Sequence, residues 1–126
     1  MSTSSTGTGI RNGRQYLAGL DDGREVWLAG KRVADVTTEP GLCRGAHTLA
    51  AFMDRQFDPK LADTLTYEEH GRRYGMSFLT PRTAHDVARR GAAFYEWATW
   101  SNGMFGRTPD YKNASVMAFA AGADFL

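Results

Sequence analysis

Thr83-Ala84-His85-Asp86-Val87-Ala88-Arg89-Arg90-Gly91-Ala92-Ala93-Phe94-Tyr95-Glu96-Trp97-Ala98-Thr99-Trp100 carries the strongest helical signal in the chain. Thr83 stands three residues before Asp86. That is the spacing of a capping box, in which the hydroxyl accepts the third helical amide and the carboxylate reaches back to the amide of the cap. Behind it Ala84, Val87, Gly91, Phe94, Trp97, Ala98 and Trp100 recur at helical steps, and Asn102-Gly103 closes the run. A long amphipathic helix is therefore predicted. Because such a helix is stable in water only when its apolar side is covered, the rest of the chain must supply other elements to pack on it.

Working outward, Met104-Phe105-Gly106 reads as a connector, and Thr108-Pro109 as N-cap and first residue of a final helix. Upstream, Leu65 and Tyr67, then Tyr74, Met76 and Phe78, flank Glu68-Glu69-His70-Gly71-Arg72-Arg73 and suggest a hairpin. Pro40 opens a helix in which Leu42, Ala46, Leu49, Phe52, Met53 and Phe57 face one way, ending near Asp58-Pro59. Glu25-Val26-Trp27-Leu28 and Lys31-Arg32-Val33 around Ala29-Gly30 form a tighter hairpin. Asn12 caps a short helix carrying Tyr16, Leu17 and Leu20, which Asp21-Asp22-Gly23 ends. Residues 1–10, rich in Ser, Thr and Gly, read as a disordered leader. The fold class expected is mainly α with small β-hairpins (α+β).

The chain has 126 residues, 42% hydrophobic and 23% charged, which suits a soluble domain with one compact core. Fifteen Lys plus Arg against fourteen Asp plus Glu leave a net charge of +1. No excess positive field draws it to nucleic acid or an anionic membrane. The single cysteine, Cys43, excludes an internal disulfide framework and fits a reducing, cytoplasmic setting. No apolar run approaches the roughly 18 residues that a membrane span requires. The chain stops on Phe125-Leu126 after an apolar helix. Termini are ordinarily polar and frayed, so this end is expected to be a cut before further domains.

Few residues carry chemistry by spacing alone. His47, His70 and His85 fall in different elements without metal-ligand spacing, so no metal is expected. Cys43 has no base near it in sequence and reads as a small packed residue. Neither G-x-G-x-x-G nor a Walker sequence occurs. Phe94, Tyr95, Trp97, Trp100 and Phe105 suit a helix packed into a core better than a wall for a flat ligand. Gly103-Met104-Phe105-Gly106-Arg107-Thr108-Pro109-Asp110-Tyr111 differs. With Thr108 as N-cap, Arg107 and Tyr111 both reach the space before a helix N-terminus, which is already positive. A guanidinium and a phenol O–H there suit a phenolate, carboxylate or peroxide oxygen. Arg107 and Tyr111 are the candidate catalytic residues.

Two segments resemble one family. Gly23-Arg24-Glu25-Val26-Trp27-Leu28-Ala29-Gly30-Lys31-Arg32-Val33-Ala34-Asp35-Val36-Thr37-Thr38-Glu39-Pro40 is similar to a segment near the start of the 4-hydroxyphenylacetate 3-hydroxylase family, and Gly106-Arg107-Thr108-Pro109-Asp110-Tyr111 matches its G-R-[ST]-P-D-Y. The resemblance covers roughly Arg11 to Leu126. It implies the N-terminal domain of an acyl-CoA dehydrogenase-like flavoprotein, the oxygenase component of a two-component monooxygenase. A separate flavin reductase would deliver reduced FAD, and a flavin hydroperoxide would hydroxylate a phenolic substrate ortho to its hydroxyl.

By the same resemblance Arg107 and Tyr111, with a histidine beyond Leu126, surround the substrate hydroxyl and the flavin peroxide. The cofactor-binding residues, a β-domain and a C-terminal bundle lie outside this chain, which alone is expected to be inactive and to bind no flavin. The full-length protein is expected to be a homo-oligomer. A 4-hydroxybutyryl-CoA dehydratase, which resembles the same region, would need cluster cysteines, and Trp97–Asp110 contains none. A non-catalytic interaction domain that keeps the fold is the alternative from another class.

Overall fold

A computed structural model describes residues 9–103 and 110–125. Where length alone suggests a single core, the contacts divide the chain into two compact units. One is Ile10–Pro59; the other is Lys60–Leu126 joined by Gly9. The division falls where Asp58-Pro59 interrupts the helical run, proline lacking the amide that would continue it.

In the first unit, α1 (Gly13–Ala18) starts at Asn12. The Asn12 Oδ1 accepts the Gln15 amide at 2.9 Å, and the Gln15 Oε1 accepts the Asn12 amide at 2.9 Å. This helix ends at Gly19, ahead of the expected Asp21-Asp22-Gly23 stop. It packs on α2 (Cys43–Arg55). At their contact the Gly13 amide donates to Asp54 Oδ1 at 2.7 Å, and a Cβ on Gly13 would lie 2.6 Å from the Ala50 carbonyl oxygen.

The hairpin forms as expected from β1 (Val26–Leu28) and β2 (Lys31–Val33), with Val26 opposite Val33 and Leu28 opposite Lys31. Ala29 and Gly30 turn it with positive φ at both positions (49° and 75°), the type I′ geometry that matches strand twist. The helix expected from Pro40 begins at Cys43 instead. Leu42, at φ −127°, breaks helical geometry between the two, so Pro40 belongs to the turn that leads in. Ala46 and Phe52 are buried as the spacing requires, Ala50 outside that row is buried as well, and Phe57 is exposed. Ile10 is buried and the Gly9 amide donates to the Arg73 carbonyl at 2.8 Å, so the last two residues of the expected leader have fixed places.

The second unit opens with a helical turn not anticipated from sequence, α3 (Ala62–Leu65). A hairpin of β3 (Thr66–Glu69) and β4 (Arg72–Gly75) follows, in which Tyr67 faces Tyr74. His70 and Gly71 turn it at φ 51° and 70°. Three expected strand residues are corrected, since Leu65 ends α3 and Met76 and Phe78 lie in a 3-10 helix, Met76–Phe78, while Glu68, Glu69, Arg72 and Arg73, expected between the strands, belong to them. The reason is tertiary, since the Arg90 guanidinium gathers the carbonyls of Ser77 and Leu79 and bends the chain out of the strand.

Helix α4 (Ala84–Trp100) begins at Thr83 with the expected capping box and closes before Asn102-Gly103, both at positive φ. Its buried face is Arg90, Ala93 and Trp97; Trp97 belongs to the predicted row, whereas Val87 from that row is 59% exposed. Fully buried Ala93 lets a neighbour approach closely, and that sets which side turns inward. Leu65, Met76, Ala93 and Trp97 form the core of this unit. Helix α5 (Asp110–Ala121) packs on the Met76–Phe78 turn, and a short 3-10 helix, Ala123–Phe125, follows it. The observed class is helices with two small antiparallel sheets.

Candidate functional site

Of the two candidate catalytic residues, Tyr111 lies in the first turn of α5 with its side chain 59% exposed. Its carbonyl accepts the Ser115 hydroxyl at 2.8 Å, and the Lys112 ammonium stands 5.9 Å from its ring centroid. The phenol is thus presented to solvent on a helical scaffold with a cation beside its ring. Arg107, with the expected cap Thr108 and Pro109, lies outside the described residues.

Within this unit α5 packs against the Met76–Phe78 turn, and that turn is held in its own right. Arg90, buried on α4, donates from Nη1 to the Ser77 carbonyl at 2.8 Å and to the Leu79 carbonyl at 2.6 Å. Its guanidinium also lies 5.3 Å from the Phe94 ring centroid. Sequence reading passed over this residue. A signal was present: Arg90, Ala93 and Trp97 follow i, i+3, i+7, so the arginine stands on an apolar face where a charge is retained only with partners.

The other residues considered do not converge. His47 is exposed with Nε2 3.2 Å from the Thr37 carbonyl oxygen, His70 sits in the β3–β4 turn, and His85 is exposed in the first turn of α4. Among the described residues no group of three or more His, Cys, Asp or Glu is placed to hold a metal. Cys43 is half-buried with its Sγ 4.0 Å from the Pro40 carbonyl oxygen. The aromatic run splits, Trp97 into the core, Phe94 beneath Arg90, and Tyr95 out to solvent at 74% exposure. Phe105 is outside the described residues.

The segment from Gly23 to Pro40 carries exposed ion pairs and side-chain hydrogen bonds. Arg24 pairs with Asp22, whose carboxyl is pulled down to about 2 by hydrogen bonds from the Arg24 side chain and amide. Arg32 pairs with Glu25 at 3.4 Å. The Asp35 carboxylate accepts both the amide and the hydroxyl of Thr37 at 2.7 Å, which lowers its pKa, the hydroxyl bond contributing most. A groove of about 580 Å³ is lined by Leu17 of α1, Leu20 just past it, Arg24, Arg32 and Asp35.

With this geometry in hand, comparison with known proteins is decisive. The family model described as 4-hydroxyphenylacetate 3-hydroxylase N terminal matches residues 12–126. The chain belongs to the 4-hydroxyphenylacetate 3-hydroxylase family. Among curated relatives, the 4-hydroxyphenylacetate 3-monooxygenase oxygenase component of Thermus thermophilus is 47% identical over 117 residues, covering 92% of this chain and 24% of that protein. A monooxygenase of Streptomyces globisporus that acts on a carrier-protein-bound 3-amino-3-(3-chloro-4-hydroxyphenyl)propanoyl group is 39% identical over 123 residues, covering 96% and 23%.

Among solved structures, the oxygenase component of 4-hydroxyphenylacetate 3-monooxygenase complexed with FAD and 4-hydroxyphenylacetate superposes with a TM-score of 0.87 at 47% identity, over 92% of this chain and 25% of that one. The chain therefore spans about a quarter of the length of the family members it matches. No helix among the described residues is long and apolar enough to cross a membrane.

Proposed function

We propose that this chain is the N-terminal part of a reduced-FAD-dependent aromatic hydroxylase that adds a hydroxyl ortho to an existing phenol hydroxyl. The observation that carries the reading is the 47% identity over 92% of the chain to an oxygenase component of this reaction. The surrounding architecture is acyl-CoA dehydrogenase-like, with a β-domain and a helical bundle contributed from outside this segment. A separate flavin reductase is the partner protein, the assembled enzyme is a cytoplasmic homo-oligomer, and the substrate is a phenolic small molecule.

The described residues fit one edge of such a site. Tyr111 offers a phenol O–H at the exposed start of α5, open to a ligand whose other side is held elsewhere. Reduced FAD, when bound, supplies the oxygen-activating chemistry. Arg107, four residues before Tyr111, places a guanidinium against the substrate hydroxyl and favours phenolate over phenol. By keeping the substrate as phenolate it presents a more electron-rich ring to an electrophilic oxygen than the neutral phenol would. Tyr111 donates a hydrogen bond to the same oxygen and orients it.

The test adds reduced FAD and a panel of phenols, 4-hydroxyphenylacetate included, to the full-length protein under air. Catechol formation is expected from at least one; oxidation of the supplied reduced FAD with release of peroxide but no catechol from any would remove the reading.

A further inference from the structure

Arg90 is a buried cation in the second unit, far in sequence from the turn it serves. One nitrogen, Nη1, directs hydrogen bonds to two carbonyls that lie two residues apart, Ser77 at 2.8 Å and Leu79 at 2.6 Å. The Leu79 amide donates to the Met76 carbonyl at 3.1 Å, closing the same turn. Met76 and Ser77 are themselves buried, so this turn is a fixed ledge rather than a surface loop. Helix α5 packs on that ledge, and Tyr111 belongs to its first turn.

We infer that Arg90 is a positioning residue, which holds the 76–79 turn and through it sets where α5 carries Tyr111. A guanidinium suits this task because its planar fork presents donors in fixed directions and stays charged on burial. An apolar residue of similar length fills the volume but leaves two carbonyls without the donor, and the turn is then free to relax. A shift of about 1 Å in a positioned group lowers turnover by up to about 100-fold. The inference rests on the reading of Tyr111 given above for its catalytic consequence, and on contacts alone for its mechanical part.

The experiment uses the full-length enzyme in four forms, Arg90→Lys, Arg90→Met, Tyr111→Phe and the Arg90→Met/Tyr111→Phe double variant, assayed well below their melting temperatures. Hydrogen exchange is followed on peptides spanning 43–55 and 110–121. Arg90→Met is expected to speed exchange across 110–121 and leave 43–55 unchanged. It should lower kcat about tenfold with KM within about twofold, Arg90→Lys recovering part of the loss. In the Tyr111→Phe background the further loss should shrink, as for two changes that act through one group.

Unchanged exchange over 110–121, or equal kcat losses with and without the Tyr111 hydroxyl, would overturn the inference. If Arg90→Met does not fold, Arg90→Lys decides by the same two readouts. A Tyr111→Phe enzyme with full activity would instead remove the catalytic role of Tyr111, leaving the exchange result to decide whether Arg90 holds α5.

Discussion

Thr83 and Asp86 exchange hydrogen bonds across the first turn of α4: the Thr83 hydroxyl accepts the Asp86 amide at 3.1 Å, and the Asp86 carboxylate accepts the Thr83 amide at 3.1 Å. The same carboxylate also accepts the Arg82 amide at 3.0 Å. Three donors that an uncapped helix start would leave to water are thereby paired. Thr83→Ala is expected to cost about 1 kcal/mol, read as a lower denaturant midpoint at unchanged slope.

Acid sensitivity follows from the same carboxylate. Hydrogen bonds from the Arg82 amide, then from Thr83, hold the pKa of Asp86 below its ordinary value. A carboxyl whose folded pKa is depressed stabilises the fold fully above its unfolded pKa, near 3.9, and loses that contribution as pH falls through the folded value. Asp86→Asn should therefore be less stable than wild type at neutral pH, with the gap narrowing as pH falls below about 4. Melting temperatures of both at pH 7 and pH 3 check this; a constant gap would show that the charge contributes nothing.

Gly13 is required by close approach. A Cβ there would lie 2.6 Å from the Ala50 carbonyl oxygen and 2.6 Å from Asp54 Oδ2, and the first of these is helix backbone that cannot swing away. Gly13→Ala is expected to destabilise by about 1–3 kcal/mol, despite the better helix propensity of alanine. Thermal unfolding of the variant is the measurement, and a gain in stability would mean that α1 shifts without penalty.

Ala29 occupies a left-handed conformation, φ 49°, at the first position of the β1–β2 turn. Asparagine tolerates this region and precedes Gly30 in the sequence type that such turns favour. Ala29→Asn should raise stability by about 0.5–1 kcal/mol without altering the pairing of Val26 with Val33. Amide exchange across 26–33 would slow if the turn is the weak point.

For the proposed chemistry, Arg107→Ala in the full-length enzyme should lower kcat by about 100-fold, the size seen when a charge-stabilising donor is removed, and Tyr111→Phe by about tenfold, the loss of one neutral hydrogen bond. Flavin affinity should change little in either. Rapid mixing with reduced FAD and equilibrium binding separate the two effects, and a loss confined to flavin binding would reassign both residues.

Features that depend on neighbours within a few residues are legible in the amino-acid string. The Asn12 and Thr83 caps, the Ala29-Gly30 turn and the long helix ending before Asn102-Gly103 are all written in side chains that bond or turn their own backbone. The family was legible in the same way, because two motifs of fixed spacing survive being read as a string. Tertiary structure decided what depends on partners far along the chain. The burial of Arg90 over Val87, the bend of Met76–Phe78 out of the strand, and the need for glycine at position 13 come from residues 11 to 41 positions away. Periodicity marks a helix face only to within a residue or so. The choice of face goes to the packing that buries Ala93 and Trp97 and pairs the arginine between them and the turn.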